Sequence, residues 1–489
     1  MLFNTIEFTI FFISILVIFV IFKNRNFHHY FLLGASYLFF YWSSNYLITL
    51  LIFSTILDFY VGKEIWKTKS IRNKKILLAI SLIGNIGLLG FFKYSDFAIT
   101  QFNILGNYIN LADEIPLLNI ALPIGISFYT FQTITYSVDI YRGHLKPSKS
   151  FREFAIFVAF FPQIVAGPIL RAKEFLPQLH EKMDKLKISK LRLITIEKSA
   201  LKIGVAMMAL GFFKKMFFAD NIAPMVNEIF AMPVGLESFT IIWGAIGFGI
   251  QVYGDFSGYS DIAIGAALIM GFKIPVNFNK PFFATSPSEF WRRWHISLSS
   301  WVRDYLFLPI VYRKIGSDAV LLSGTIFTFL ILGLWHGAGW NFIFFGLIHG
   351  IYVTLEIFIR KRHPSFANNR FFKTKQGRII SILFTQYLIF FAWISFRVED
   401  FDLMLYSMQK FLIWDFQIEN TIGFIRAHKF ESGLICLFLI LNFVSFRVGN
   451  LLQRISSNNY FLFLFLIIIM LSIFFFYDGN SEDFIYFKF

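Results

Sequence analysis

Leu322–Ile359 reads LSGTIFTFLILGLWHGAGWNFIFFGLIHGIYVTLEIFI. Two apolar runs meet at Trp335-His336-Gly337-Ala338-Gly339-Trp340, the pattern of a helical hairpin in a membrane. Arg313 and Lys314 precede the pair, and Arg360, Lys361 and Arg362 follow it. Basic flanks stay on the cytoplasmic side, so the turn faces outward. The first arm, Val320–Leu334, is short for a crossing of roughly 20 residues, which would hold His336 below the outer surface. An ionisable group at that depth is costly and functional by default. The competing reading is a structural histidine bonded to a backbone carbonyl at a glycine turn.

The rest of the chain agrees with the hairpin. Of 489 residues, 56% are hydrophobic and 15% charged, against about 25% charged in soluble domains. Apolar runs of helical length recur throughout, so the expectation is an all-α polytopic membrane protein with roughly 10–13 transmembrane or re-entrant helices. The net charge of +15 is dispersed between spans, as cytoplasmic loops require, and that dispersal argues against nucleic-acid binding. The single cysteine, Cys436, excludes an internal disulfide and a cysteine-rich metal site.

In chain order, Glu7–Phe22 reads as a retained first span, with Lys23 and Arg25 on the cytoplasmic side. Tyr30–Tyr60, interrupted at Ser43-Ser44-Asn45, reads as two short or tilted helices. Ile76–Phe92 crosses outward, Asp96–Leu118 lies along the outer interface, and Pro123–Ile140 returns. Phe154–Leu170 has basic residues on both sides and is broken by Pro162, Gly167 and Pro168, which predicts a re-entrant element over a plain kinked helix. Glu181–Lys202 is a charged interfacial helix. Ile203–Phe218 and Phe239–Val252 cross, Ser257–Met270 crosses or dips, and Phe272–Tyr312 is irregular and interfacial. Ile379–Ile394 crosses outward, Glu399–Lys429 lies outside, Leu434–Val444 is a short return, and Tyr460–Phe476 leaves again. Asp478, Glu482 and Asp483 end outside.

Nine histidines narrow to two. His28, His29, His144, His180, His363 and His428 sit in charged or loop contexts and read as solvated or interfacial. His349, inside the second arm, reads as core. His295 sits in Phe290-Trp291-Arg292-Arg293-Trp294-His295, which is either an interfacial aromatic belt or a site where guanidinium forks meet donor phosphates. Between two apolar runs, Tyr253–Asp261 carries Asp255, Ser257 and Asp261. Those carboxylates orient a histidine, bind a cation, or cap helix starts. No Gly-x-Ser-x-Gly elbow, His-Glu-x-x-His pair or Walker loop occurs, so neither a resident metal nor a bound cofactor is expected. A histidine without an activated serine or cysteine suggests general-base work on an alcohol.

These segments resemble the membrane-bound O-acyltransferase family, in particular its alginate O-acetylation (AlgI-like) branch. The resemblance rests on Leu122–Gln132, Tyr136–Gly143, Phe161–Ile169, Asp255–Ala263, Phe278–Phe282, Phe290–Ser299 and Gly333–Gly337, in the family's order. It implies a core at 121–360 between N-terminal helices at 1–120 and C-terminal helices at 361–489, folded as a ring of tilted, broken helices around a central tunnel. It implies that His336 is the catalytic histidine and His295 its polar companion. Arg292, Arg293, Trp335, Asp255, Ser257, Asp261, Asn279 and Lys280 become candidates for binding donor or acceptor. It further implies acetyl-CoA as cytoplasmic donor, an extracytoplasmic polysaccharide acceptor, a partner transferase of the SGNH type, and residence among the lipids of the bacterial cytoplasmic membrane. D-alanyl transfer to teichoic acid, a transporter and a non-enzymatic scaffold of a polymer-export complex are the alternatives. No internal repeat supports the transporter.

Overall fold

A computed structural model describes residues 3–22, 25–109, 114–165, 167–188, 196–312, 316–477, 479 and 484–487. No strand occurs among them, and seven helical stretches are long and apolar enough to cross a bilayer. The chain divides into two units, residues 1–208 with 260–275, and residues 209–259 with 276–489.

The first unit holds α1 (Ile6–Ile21), α2 (Arg25–Ser44), α3 (Ile48–Lys67), α4 (Ile71–Tyr108), α5 (Ile126–Tyr141), α6 (Phe151–Ala159), α7 (Phe161–Ile164), α8 (Ala172–Ile188) and most of α9 (Lys198–Phe212). Tyr30–Tyr60 is two helices joined by a 3-10 turn at Asn45–Leu47. Its buried Asp58 is tolerated because Ser81 Oγ (2.5 Å), Asn85 Nδ2 (2.7 Å) and Ser137 Oγ all donate to it. The 154–170 segment is broken: α6 has 9 residues, too few to cross, and Phe160 leaves the helical region before α7. Both pieces are buried, and the Phe161 N–H freed by the break donates to Ser36 Oγ at 3.3 Å.

Several expectations need correction here. Asp96–Tyr108 is not a separate interfacial segment but the end of α4, whose 38 residues measure about 57 Å at 1.5 Å each. No proline interrupts it, and Asp96 instead accepts the N–H groups of Leu118 and Asn119 (2.7 and 3.0 Å). His28 and His29 are buried, not solvated, because α2 begins at Arg25 and packs its first turns on α1, with the Phe19 and His28 rings 4.9 Å apart. Lys198–Lys202 begins α9 instead of continuing α8; 189–195 lie outside the described residues.

The second unit runs from the end of α9 through a π-helical stretch (Phe213–Ala219), α10 (Asp220–Ala231) and most of α11 (Ser238–Ile269). It then continues with α12 (Pro287–Arg293), α13 (Ile296–Val302), α14 (Leu308–Val311), α15 (Asp318–His336), α16 (Trp340–Arg362) and α17 (Pro364–Ala367). The last helices are α18 (Lys375–Arg397), α19 (Phe401–Ile413), α20 (Ile418–Ala427), α21 (Lys429–Val448), α22 (Leu451–Ser457) and α23 (Asn459–Phe476). Ser257–Met270 neither dips nor crosses separately: α11 is one 32-residue helix. Asp255 and Asp261 therefore cap no helix start. The 20 residues of α21 make it longer than the short return expected.

The hairpin itself is α15 and α16. Ser317 Oγ accepts the Val320 N–H (3.4 Å) and starts α15 early, so the arm has 19 residues and is not short. His336 is its last residue. The arms touch because they carry glycine where they meet: a Cβ on Gly333 would lie 2.2 Å from Phe342 O, and one on Gly346 2.3 Å from Phe329 O. Lys361 pairs with Asp318 across the basic end, and Arg360 with Glu356 at 2.8 Å. Arg313 and Lys314, like Asp478, Glu482 and Asp483, lie outside the described residues.

Candidate active site

The hairpin turn delivers His336 into the protein, where it is 3% exposed. Its ring lies among Trp335 (5.0 Å between centroids), Phe396 (5.2 Å), Phe345 (5.8 Å) and Tyr486 (5.7 Å). His336 is thus ringed by four aromatic side chains.

His295 is fully buried at the junction of α12 and α13, in a left-handed conformation with φ 42°. That geometry is uncommon for a residue with a Cβ and marks a position held by its surroundings. Asn277 does the holding. Its Oδ1 accepts the Ser297 N–H (3.2 Å) and Ser297 Oγ (2.8 Å), and its backbone oxygen accepts the Ile296 N–H (2.9 Å). A backbone N–H only donates, so the amide orientation is set. His295 Nδ1, 3.2 Å from the same Oδ1, must carry the ring proton. Nε2 is then the accepting nitrogen. The His295 ring stands edge-on to Phe256 (4.6 Å) and near Trp335 (6.3 Å) and Tyr486 (6.4 Å). Trp335 and Tyr486 therefore neighbour both histidines.

Asp255 and Ser257 lie on the buried part of α11. Lys215, in the π-helical stretch, reaches Asp220 Oδ1 at 2.7 Å and Asp255 Oδ1 at 2.9 Å. The approach depends on Gly258, where a Cβ would meet Gly211 O at 2.7 Å. Asp261 falls in the first unit and is half-buried.

Arg292 is exposed and lines a cavity of about 520 Å³ with Trp291, Arg303, Phe329, Leu332 and Val353 among its walls. Leu332 is one turn before His336 on α15. Arg293 instead makes a two-pronged pair with Glu289 (2.7 and 2.9 Å) and donates to Asn279 O (3.2 Å). Asn279 and Lys280 belong to the same clamp: Asn279 N–H donates to Arg293 O (2.9 Å), and Lys280 Nζ reaches Ser445 O (2.5 Å). His349 is core, and its Nδ1 accepts the Trp291 indole N–H at 3.2 Å. No cluster of metal-ligating side chains occurs among the described residues.

Three residues escape a reading of the sequence. Asn277 carries no spacing signal. Tyr486 follows the last apolar run, and nothing in its spacing points to His336. Lys215 was open to detection, since Lys214 and Lys215 interrupt the apolar run Gly211–Phe218.

Residues 142–398 match the model of the MBOAT, membrane-bound O-acyltransferase family. The chain is 34% identical over 406 residues to a peptidoglycan O-acetyltransferase of Helicobacter pylori, an alignment covering 78% of this chain and 73% of the relative. It is 32% identical over 453 residues to a probable alginate O-acetylase AlgI of Pseudomonas aeruginosa (91% and 82%). To the teichoic acid D-alanyltransferase of Bacillus subtilis it is 30% identical over 291 residues (57% and 69%). With its apolar helices and these relatives, the chain belongs to the membrane-bound O-acyltransferase family and is an integral membrane acyltransferase.

Proposed function

We propose that this acyltransferase takes an acetyl group from acetyl-CoA on the cytoplasmic side. It delivers the group to a hydroxyl beyond the bacterial cytoplasmic membrane, on a polysaccharide or on a partner transferase. His336 is the general base: its neutral ring takes the acceptor proton as the oxygen attacks the thioester carbonyl. The carbon–sulfur bond then breaks, and the imidazolium returns the proton to the departing thiolate. His295, with Nε2 free of the ring proton, orients the acceptor by accepting a hydrogen bond.

The observation that carries this reading is the convergence of His336, His295, Trp335 and Tyr486 in one aromatic enclosure. The cavity beside Arg292 supports the donor assignment. It lies along α15 and α16 toward their basic ends, where Val353 and Ile357 precede Arg360–Arg362. A guanidinium at its rim matches a phosphate, and Leu332 leads from it toward His336. On the acceptor side, Tyr486 sets a phenol ring against His336. The same proton transfer acylates that phenol to an aryl ester; a sugar hydroxyl then attacks the ester carbonyl and the phenol leaves.

Acetyl is preferred over D-alanyl because the O-acetylating relatives align with more of this chain, 78–91% against 57%. The test is acetyl transfer by the full chain in lipid nanodiscs, with labelled acetyl-CoA and a D-alanyl thioester as the competing donor. Undiminished transfer by folded His336→Ala rejects the mechanism. Use of the D-alanyl thioester alone rejects the acetyl assignment.

A further inference from the structure

Ile485–Phe487 forms a single 3-10 turn, in which Ile485 is buried, as is Phe484 before it. Phe484 lies against Tyr259 (4.5 Å) and Phe256 (5.8 Å), and Tyr486 against Phe256 (4.7 Å). A polar bond ties the segment to α11: the Ile485 N–H donates to Asp255 Oδ2 at 2.7 Å. The opposite oxygen of that carboxylate is held by Lys215, which Asp220 holds in turn.

We infer that Asp255, set by Lys215 and Asp220, is a positioning residue that latches the chain's own C-terminal segment so that Tyr486 stands beside His336. The inference rests on the functional reading above, since the position matters because His336 is the base. The physics is that of a charge-assisted hydrogen bond out of water, stronger than a bond between neutral groups. A carboxylate buried at membrane depth is costly alone and tolerable when paired. Lys215 stabilises it there, and one oxygen stays turned toward the tail. The π-helical stretch and Gly258 bring Lys215 within reach, a frequent use of π-helical turns at functional sites. Phe256 links the parts: its ring contacts Phe484 and Tyr486 of the tail and also His295.

The experiment uses the full chain in nanodiscs with Cys436→Ser, so that Tyr486→Cys supplies one thiol, and follows its alkylation by N-ethylmaleimide. Ile485→Pro removes the latching N–H, at the first position of a helical turn where proline is tolerated, and trims the buried side chain; Ile485→Val trims the side chain but keeps the N–H. Alkylation on the order of tenfold faster with Ile485→Pro than with Ile485→Val supports the latch, as expected for loss of one charge-assisted bond. Equal rates overturn it. Asp255→Asn should speed alkylation likewise, and if that variant does not fold, the proline variant decides alone. With Tyr486 intact, Ile485→Pro should lower kcat and leave KM for acetyl-CoA unchanged; a raised KM with unchanged kcat would place the segment in donor binding and overturn the positioning role. None of these alkylation rates depends on catalysis, so an active His336→Ala would refute the functional reading separately.

Discussion

His336 and His295 are both imidazoles in an aromatic enclosure, but their settings differ. Asn277 fixes the tautomer of His295 through a bond at Nδ1, whereas His336 stands at the end of a helix with its ring between Trp335 and Phe396. The roles can be separated by substitution. His336→Ala should lower acetyl transfer by on the order of 10²- to 10⁴-fold, the usual contribution of a general base, with size-exclusion behaviour unchanged. Asn277→Ala should cost on the order of tenfold in kcat by loosening one ring bond, and Asn277→Asp, which keeps an accepting oxygen, should restore most of it. If Asn277→Asp were as poor as Asn277→Ala, the tautomer argument would fail. His336 was legible as a candidate because an ionisable group at the turn of an apolar hairpin needs a reason, and His295 through the resemblance. Asn277 was not, since an asparagine in an irregular stretch is ordinary until its four accepted bonds are seen.

The α15–α16 hairpin shows how much an element's position depends on what it lacks. Gly333 and Gly346 let the two backbones approach closer than any side chain allows. Gly346→Ala should therefore destabilise the protein by about 1–3 kcal/mol, the usual cost of overpacking, and shift the turn that carries His336. A melting midpoint and activity equal to wild type would show that the helices separate without consequence. The start of α11 depends on a loop instead. Asp415 receives the Ser238 N–H at 3.0 Å and Ser238 Oγ, and pairs with Lys410 at 2.5 Å. That Lys410 bond and the two from Ser238 hold its carboxyl down at about 2. A depressed carboxylate contributes stability that is present above its unfolded value, about 3.9, and lost as pH falls through the folded value. Thermal stability should thus be insensitive to this group from neutral pH to about 4 and decline below it; Asp415→Asn should lower the midpoint at neutral pH and flatten the acid limb. An acid limb unchanged by that substitution would remove Asp415 from the account.

For the protein as a membrane enzyme, the consequence is sidedness. The basic ends of α15 and α16 carry Arg360–Arg362, and the cavity with Arg292 lies toward them. In proteoliposomes of defined orientation, acetyl-CoA should support transfer only from the side to which those residues face. Equal transfer from both sides would contradict the donor route.

Periodicity, apolar run length and the placement of Lys and Arg determined the class and the hairpin and singled out His336 as a candidate, because a bilayer leaves backbone and charge few options and those options are written locally. Tertiary structure alone decided which distant residues share the site. Lys215, Asp255 and Ile485 are joined by two hydrogen-bonding steps across 270 positions of chain, and Tyr486 reaches His336 from 150 positions further along it. Such contacts depend on how helices pack, and packing is set by the summed fit of many side chains, which no short stretch records.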